Sequence, residues 1–166
     1  MNGDIYLRQQ PASRQCQAIV VAVDHVGPSH FPNVARDGTA WTAFLTTCGF
    51  TVTHLVNPTH REMIEAIGRV SFKGSAEPPG PGTPAKVPGA GKSRTATNSC
   101  LMFFFSGGGS QVGRDLLLLA SDSLTANDRI DPGKTLQVAD LASRLREAAA
   151  ASVLVLDTAF PDVTSL

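Results

Sequence analysis

A three-layer α/β/α sandwich around a mainly parallel sheet is the fold this sequence predicts, and three observations predict it. Short continuous apolar runs at residues 18–23, 100–105 and 152–157 have the pattern of strands covered on both faces. Between them, apolar residues recur at helical spacing. The 166 residues are one domain's worth of chain, and with 42% hydrophobic and 17% charged residues they carry enough apolar material for one core. Strands that alternate with helices imply right-handed crossovers, and in such sheets function sits at the carboxyl ends of the strands.

Residues 1–17 lack the apolar centre of a secretory signal and read as a polar tail, with the domain running over 18–166. After the first strand and a turn-rich stretch, Ala40, Trp41, Phe44, Leu45 and Cys48 mark a helix that stops at Gly49, which places Cys48 on its apolar stripe. Residues 50–56 alternate as a strand. Thr59 followed by Glu62 is a capping box, and Met63, Ala66, Ile67 and Val70 form the apolar stripe of the helix it opens. Residues 73–99, rich in Pro and Gly with four basic residues and one acid, cannot bury a core face and read as a basic surface insertion. The strand at 100–105 runs into Ser106-Gly107-Gly108-Gly109-Ser110, where glycine predicts a sharp turn. Residues 116–120 suit a short strand or hairpin arm, and 131–134 a turn. Val138, Leu141, Ala142, Leu145 and Ala149 then mark a third helix, before the last strand.

Charge and cysteine usage exclude several functions. Fourteen basic and fourteen acidic residues give no net charge, which argues against binding nucleic acid by broad phosphate neutralisation. No apolar run approaches the roughly 18 residues of a membrane helix. The cysteines Cys16, Cys48 and Cys100 have neither the number nor the spacing of a disulfide framework or zinc cluster, so a reducing, cytoplasmic setting is expected. Gly91-Lys92-Ser93 imitates the end of a phosphate-binding loop, but the glycine that should open such a loop falls at Lys86.

Four segments carry a resemblance. FFFSGGGSQ at 103–111 matches a strand followed by S-G-H-G-S-Q, and VLVLDTA at 153–159 matches a strand followed by D-x-C. NVARDGTAWTAFLTTCGFTVTHL at 33–55 and PTHREMIEAI at 58–67 agree upstream of them. In this order the segments resemble the caspase-like cysteine peptidases, most closely the large subunit of the metacaspases and their bacterial relatives. Gly108 and Ala159 stand 51 residues apart, consistent with the roughly 50 residues between His and Cys in caspase signatures. The resemblance spans about residues 18–157 and implies a caspase-like fold.

The resemblance also implies what is missing. In that family a histidine and a cysteine thiolate act together on the scissile carbonyl. Their positions here are Gly108 and Ala159, so the chain as written is expected to have no peptidase activity. Cys100 begins a strand and Cys48 reads as core; His25 and His30 follow the first strand with no cysteine to meet them, and His54 and His60 read as surface or satisfied histidines. The resemblance carries a pocket for an Arg or Lys side chain onto Asp37, Ser106 and Asp157, all present. The family's small subunit has no counterpart within 166 residues, which leaves a sheet edge to be covered by a partner chain, a second copy, or the rest of a longer protein. Calcium, which the family uses through an acidic loop, would fall to Asp115, Asp122, Asp128 and Asp131, here scattered. No other cofactor is implied. The expected function is a binding homologue of the peptidases, with a genuine metacaspase in substituted or truncated form as the alternative and a flavodoxin-like binding domain behind both.

Overall fold

The computed structural model describes residues 14–72 and 98–159. The strands and helices follow in the order β1 (Gln15–Ala22), β2 (His25–Val26), β3 (Ser29–His30), α1 (Val34–Thr47), β4 (Thr51–Val56), α2 (His60–Gly68), β5 (Ser99–Val112), β6 (Asp115–Leu119), β7 (Thr135–Gln137), α3 (Val138–Ala148) and β8 (Ala151–Ala159). β1, β4, β5 and β8 are mutually parallel, in the order β4-β1-β5-β8. β5 is long enough to change partners. Its first part pairs β1 from Gln15↔Ser99 to Ala22↔Ser106 and β8 from Cys100↔Ala151 to Gly108↔Ala159. Beyond that it pairs β6 antiparallel from Gly109↔Leu118 to Val112↔Asp115, and β6 carries β7.

Helices cover both faces, because successive strand residues point to opposite sides. Ala18, Val20 and Phe104 pack with Leu45 and Trp41 of α1. Ile19, Val21, Phe103 and Phe105 pack with Met63 and Ile67 of α2 and Leu141 and Leu145 of α3. The mixed α/β class, the mostly parallel sheet and the alternation of strands with helices are therefore as the sequence predicts. The capping box at α2 is formed as well: the Thr59 side chain accepts from the Glu62 backbone N–H, and the Glu62 carboxylate accepts from the Thr59 N–H at 2.8 Å. No helix among the described residues is long and apolar enough to cross a membrane.

Several local expectations are corrected. The glycine run makes no turn: β5 continues through Gly107, Gly108 and Gly109 to Val112, because β8 and then β6 supply the hydrogen-bonding partners. β1 begins at Gln15, so 15–17 belong to the sheet rather than to a tail, and Ser99 belongs to β5 rather than to the insertion. The remainder of both segments, residues 1–13 and 73–97, lies outside the described residues. α1 starts at Val34, two turns earlier than its apolar stripe suggests, behind an Asn33 in the left-handed region with φ 74°. Cys48 caps that helix and is exposed, because the stripe ends at Leu45. The 131–134 turn is a short 3-10 helix, Pro132–Lys134, whose Gly133 N–H donates to the Asp131 side chain.

Candidate functional site

The carboxyl ends of β1 and β8 meet the middle of β5, at Ser106 and Gly107, below one loop. Past β1, the Val23 N–H donates to the Ser106 carbonyl at 2.9 Å and the Asp24 N–H to Asn57 Oδ1 at 2.9 Å, so the loop leaves the sheet in a fixed direction. The β2–β3 hairpin follows, with the Asp24 carboxylate 2.6 Å from His25 Nδ1 and the His25 and His30 rings 4.5 Å apart. The hydrogen bond from His25 holds the Asp24 carboxyl below its ordinary range, more than burial raises it. The Phe31 N–H then donates to the Asp24 carbonyl at 2.7 Å, which swings Phe31 and Pro32 back across the sheet edge.

That return closes a shallow cavity of about 160 Å³, lined by Phe31, Pro32, Val34, Asp37, Ser106, Gly107, Asp157 and Ala159. Asp37 comes from the first turn of α1, Ser106 from β5, and Asp157 and Ala159 from β8. Ser106 is buried at 1% exposure and donates from Oγ to Asp157 Oδ2 at 3.2 Å, as expected of register partners on neighbouring strands. Asp37 is 41% exposed, with Arg36 Nε 3.8 Å away. The cavity thus combines two carboxylates and a hydroxyl with the apolar surfaces of Phe31 and Val34. It suits a small cationic head group: charge-assisted hydrogen bonds to the carboxylates, apolar contact for the stem. No histidine or cysteine lines it.

Of the residues singled out from sequence, the structure brings Asp37, Ser106, Asp157 and Ala159 around one cavity. Gly108 is the ladder partner of Ala159 but does not line the space, because the Phe31 ring lies over it. A Cβ built at Gly108 would stand 3.0 and 3.1 Å from that ring and 3.3 Å from Leu119 Cδ1. Phe31 is the residue sequence reasoning missed: it sits in a turn-rich stretch with no periodicity to mark it. Gly107 is also more constrained than its sequence context suggests. It has φ 156°, and a Cβ there would stand 2.8 Å from the Val23 carbonyl oxygen.

The remaining candidates lie elsewhere. Cys16 and Cys100 are register partners near the amino ends of β1 and β5, remote from the cavity. His54 on β4 departs from the expectation of a surface or satisfied histidine: among the described residues its buried Nε2 has no hydrogen-bond partner, and burial pushes its pKa down. His60 opens α2, its N–H donating to Asp122 Oδ1 at 2.8 Å. The four aspartates considered for calcium sit at separate places. Asp122 serves the start of α2, Asp131 the short 3-10 helix, Asp128 an exposed loop and Asp115 the start of β6. Among the described residues no group of three or more His, Cys, Asp or Glu side chains is placed to hold a metal ion.

No family model and no curated protein matches the chain. Among solved structures it is similar to protein GSU0716 from Geobacter sulfurreducens, with a TM-score of 0.59 and 18% identity over 88% of this chain and 50% of that one. The chain therefore spans about half the length of that structure. At such identity the likeness establishes the α/β fold alone.

Proposed function

We propose that the chain is a caspase-like domain of the large-subunit type that has lost peptidase chemistry and acts by binding, its cavity receiving an Arg or Lys side chain of a peptide or protein partner. The observation that carries this reading is the convergence of Asp37, Ser106, Asp157 and Ala159 from separate segments onto one cavity. Asp157, oriented by the Ser106 hydroxyl, and Asp37 across the opening supply the counter-charge. Phe31 and Val34 provide the apolar wall. Acyl transfer needs a nucleophile beside a base, and the residues at the two matching positions, Gly108 and Ala159, offer neither. β8 pairs only β5 among the described residues and leaves Val153 43% exposed, so a partner strand or a second copy along its outer side would complete the sheet.

Fluorescence anisotropy with labelled peptides ending in arginine, lysine or citrulline tests the binding. Arginine and lysine peptides are expected to bind and citrulline peptides not to. Asp157→Asn should weaken binding roughly tenfold or more, the worth of a charge-assisted hydrogen bond. Equal binding of the citrulline peptide would sink the reading. Restoring chemistry tests the alternative of a genuine peptidase in substituted form. Gly108→His with Ala159→Cys is combined with Phe31→Leu, which keeps an apolar side chain in the cavity wall while relieving the ring atoms that would stand 3.0 and 3.1 Å from a Cβ at Gly108. Cleavage after Arg or Lys by that triple variant would favour the peptidase reading, and retained binding without cleavage the binding one.

A further inference from the structure

We propose that Cys16 and Cys100 form a dithiol modification site, at the end of the sheet opposite the cavity, that a peroxide converts into an intramolecular disulfide. The two are register partners on parallel strands, so their side chains leave the same face side by side. Adjacent strands run about 4.8 Å apart, inside the roughly 4.4–6.8 Å range of Cα separations that a disulfide spans. Both cysteines are partly exposed. Neither lines the carboxyl-edge cavity.

The surroundings give the two sulfurs different roles. Cys16 opens into a second cavity of about 260 Å³, shared with Arg14, Gln17, Gly49 and Ser71, which admits a small oxidant and sets a guanidinium nearby. Cys100 is not among the residues lining that space. Burial, and then the neighbouring Cys16, push the Cys100 thiol up, against a smaller opposing effect of Arg14. Cys16 is therefore the attacking sulfur and Cys100 the resolving one. The Cys16 thiolate attacks one oxygen of hydrogen peroxide, the O–O bond breaks, and hydroxide leaves to become water, giving a sulfenic acid. Cys100 sulfur then attacks the Cys16 sulfur, the S–O bond breaks, and the departing hydroxide takes up the Cys100 proton as a second water. In sum, two thiols and one peroxide give one disulfide and two waters. Cys48 caps α1, is exposed, and belongs to no strand.

The test uses the whole chain, reduced, desalted and treated with stoichiometric hydrogen peroxide, then alkylated in denaturant. The expected result is a monomer lighter by the mass of two hydrogens before alkylation, which then takes up one alkyl group where the reduced control takes up three. Peptide mapping should assign the bridge to Cys16 and Cys100. Cys16→Ser and Cys100→Ser should each abolish the mass loss, and Cys48→Ser should leave it intact, with circular dichroism verifying that each variant is folded. Oxygen adducts on separate cysteines without loss of hydrogens, a bridge that includes Cys48, or a linkage between chains would each overturn the proposal.

Discussion

Two adjoining stretches of β5, residues 101–105 and 107–109, lie in the interior and are buried by opposite means. From Leu101 to Phe105 the strand fills the core with its own side chains, and Leu101, Phe103 and Phe105 are fully buried. From Gly107 to Gly109 it has no side chains to bury, and its neighbours come down onto its backbone: Val23 over Gly107, Phe31 and Leu119 over Gly108, Thr158 over Gly109. The first stretch is held between two parallel strands; the second passes to an antiparallel partner. A strand can thus be core because of what it brings or because of what it leaves room for. The cavity forms where one regime gives way to the other, at Ser106 and Gly107.

The strongest way to break the first stretch is to empty it. Phe103 lies between Ile19 on β1 and Leu154 on β8 and is fully buried. Phe103→Ala should cost about 3–5 kcal/mol in denaturant unfolding, the usual range for removing a buried phenylalanine. A loss below about 1 kcal/mol would mean that this stretch does not carry the core.

The second stretch breaks by being filled. Gly107→Ala puts a methyl 2.8 Å from a backbone oxygen, at a φ of 156° that side chains rarely adopt. The obstructing atom is main chain, fixed by the Val23 N–H bond to Ser106, so it cannot swing aside. Overpacking and backbone strain each cost about 1–3 kcal/mol, so a loss on the order of 3 kcal/mol is expected by the same measurement. Because Gly107 also lines the cavity, binding of an arginine peptide should fall even at temperatures where the variant remains folded.

The same contrast explains how much could be read from the sequence. Strands that bring their own apolar residues were legible, as at Ala18, Ile19 and Val20 and at Phe103, Phe104 and Phe105, and so were helices with a full stripe or a capping box, as at Thr59 and Glu62. The glycine segment was not, because the reason for each glycine is a neighbour from a distant part of the chain. Asp37, Ser106 and Asp157, which share the cavity, stand in short motifs that a sequence can show, whereas Phe31, which covers Gly108, has no local signal at all. The β2–β3 hairpin escaped notice for a related reason: strands of two residues are too short for periodicity.

Gly38 on α1 repeats the lesson on a smaller scale. A Cβ there would stand 2.9 Å from His54 Nε2, so this glycine leaves room for an imidazole whose buried nitrogen has no partner among the described residues. Burial pushes the His54 pKa below its ordinary 6.5, so the unfolded chain takes up a proton at higher pH than the folded one. The folded state is favoured above pH 6.5 and loses stability as the pH falls from there toward the depressed folded value. Unfolding midpoints at neutral and mildly acidic pH should therefore differ less in His54→Gln than in the parent. An unchanged difference would exclude His54 as the source.

The smallest effect is the most diagnostic. Gly108 sits beneath the Phe31 ring, and unlike Gly107 it has no positive φ. Alanine there restricts the unfolded chain, a gain of about 0.4–1 kcal/mol where the native backbone accepts the residue. Against that gain, its methyl would lie 3.0 Å from the ring edge, and the ring must retreat by a few tenths of an ångström. A side chain can yield where the Val23 carbonyl cannot, so Gly108→Ala alone should change stability by less than about 1 kcal/mol. Coupling reveals the contact. Phe31→Leu trims the ring, and in its presence the same alanine should be more favourable by about 0.5–1 kcal/mol, a double-mutant interaction within the usual range for touching residues. Strict additivity would mean that Phe31 does not rest on Gly108. The obstacle to restoring a histidine at that position would then lie with Leu119, the other side chain within reach of a Gly108 Cβ, at 3.3 Å.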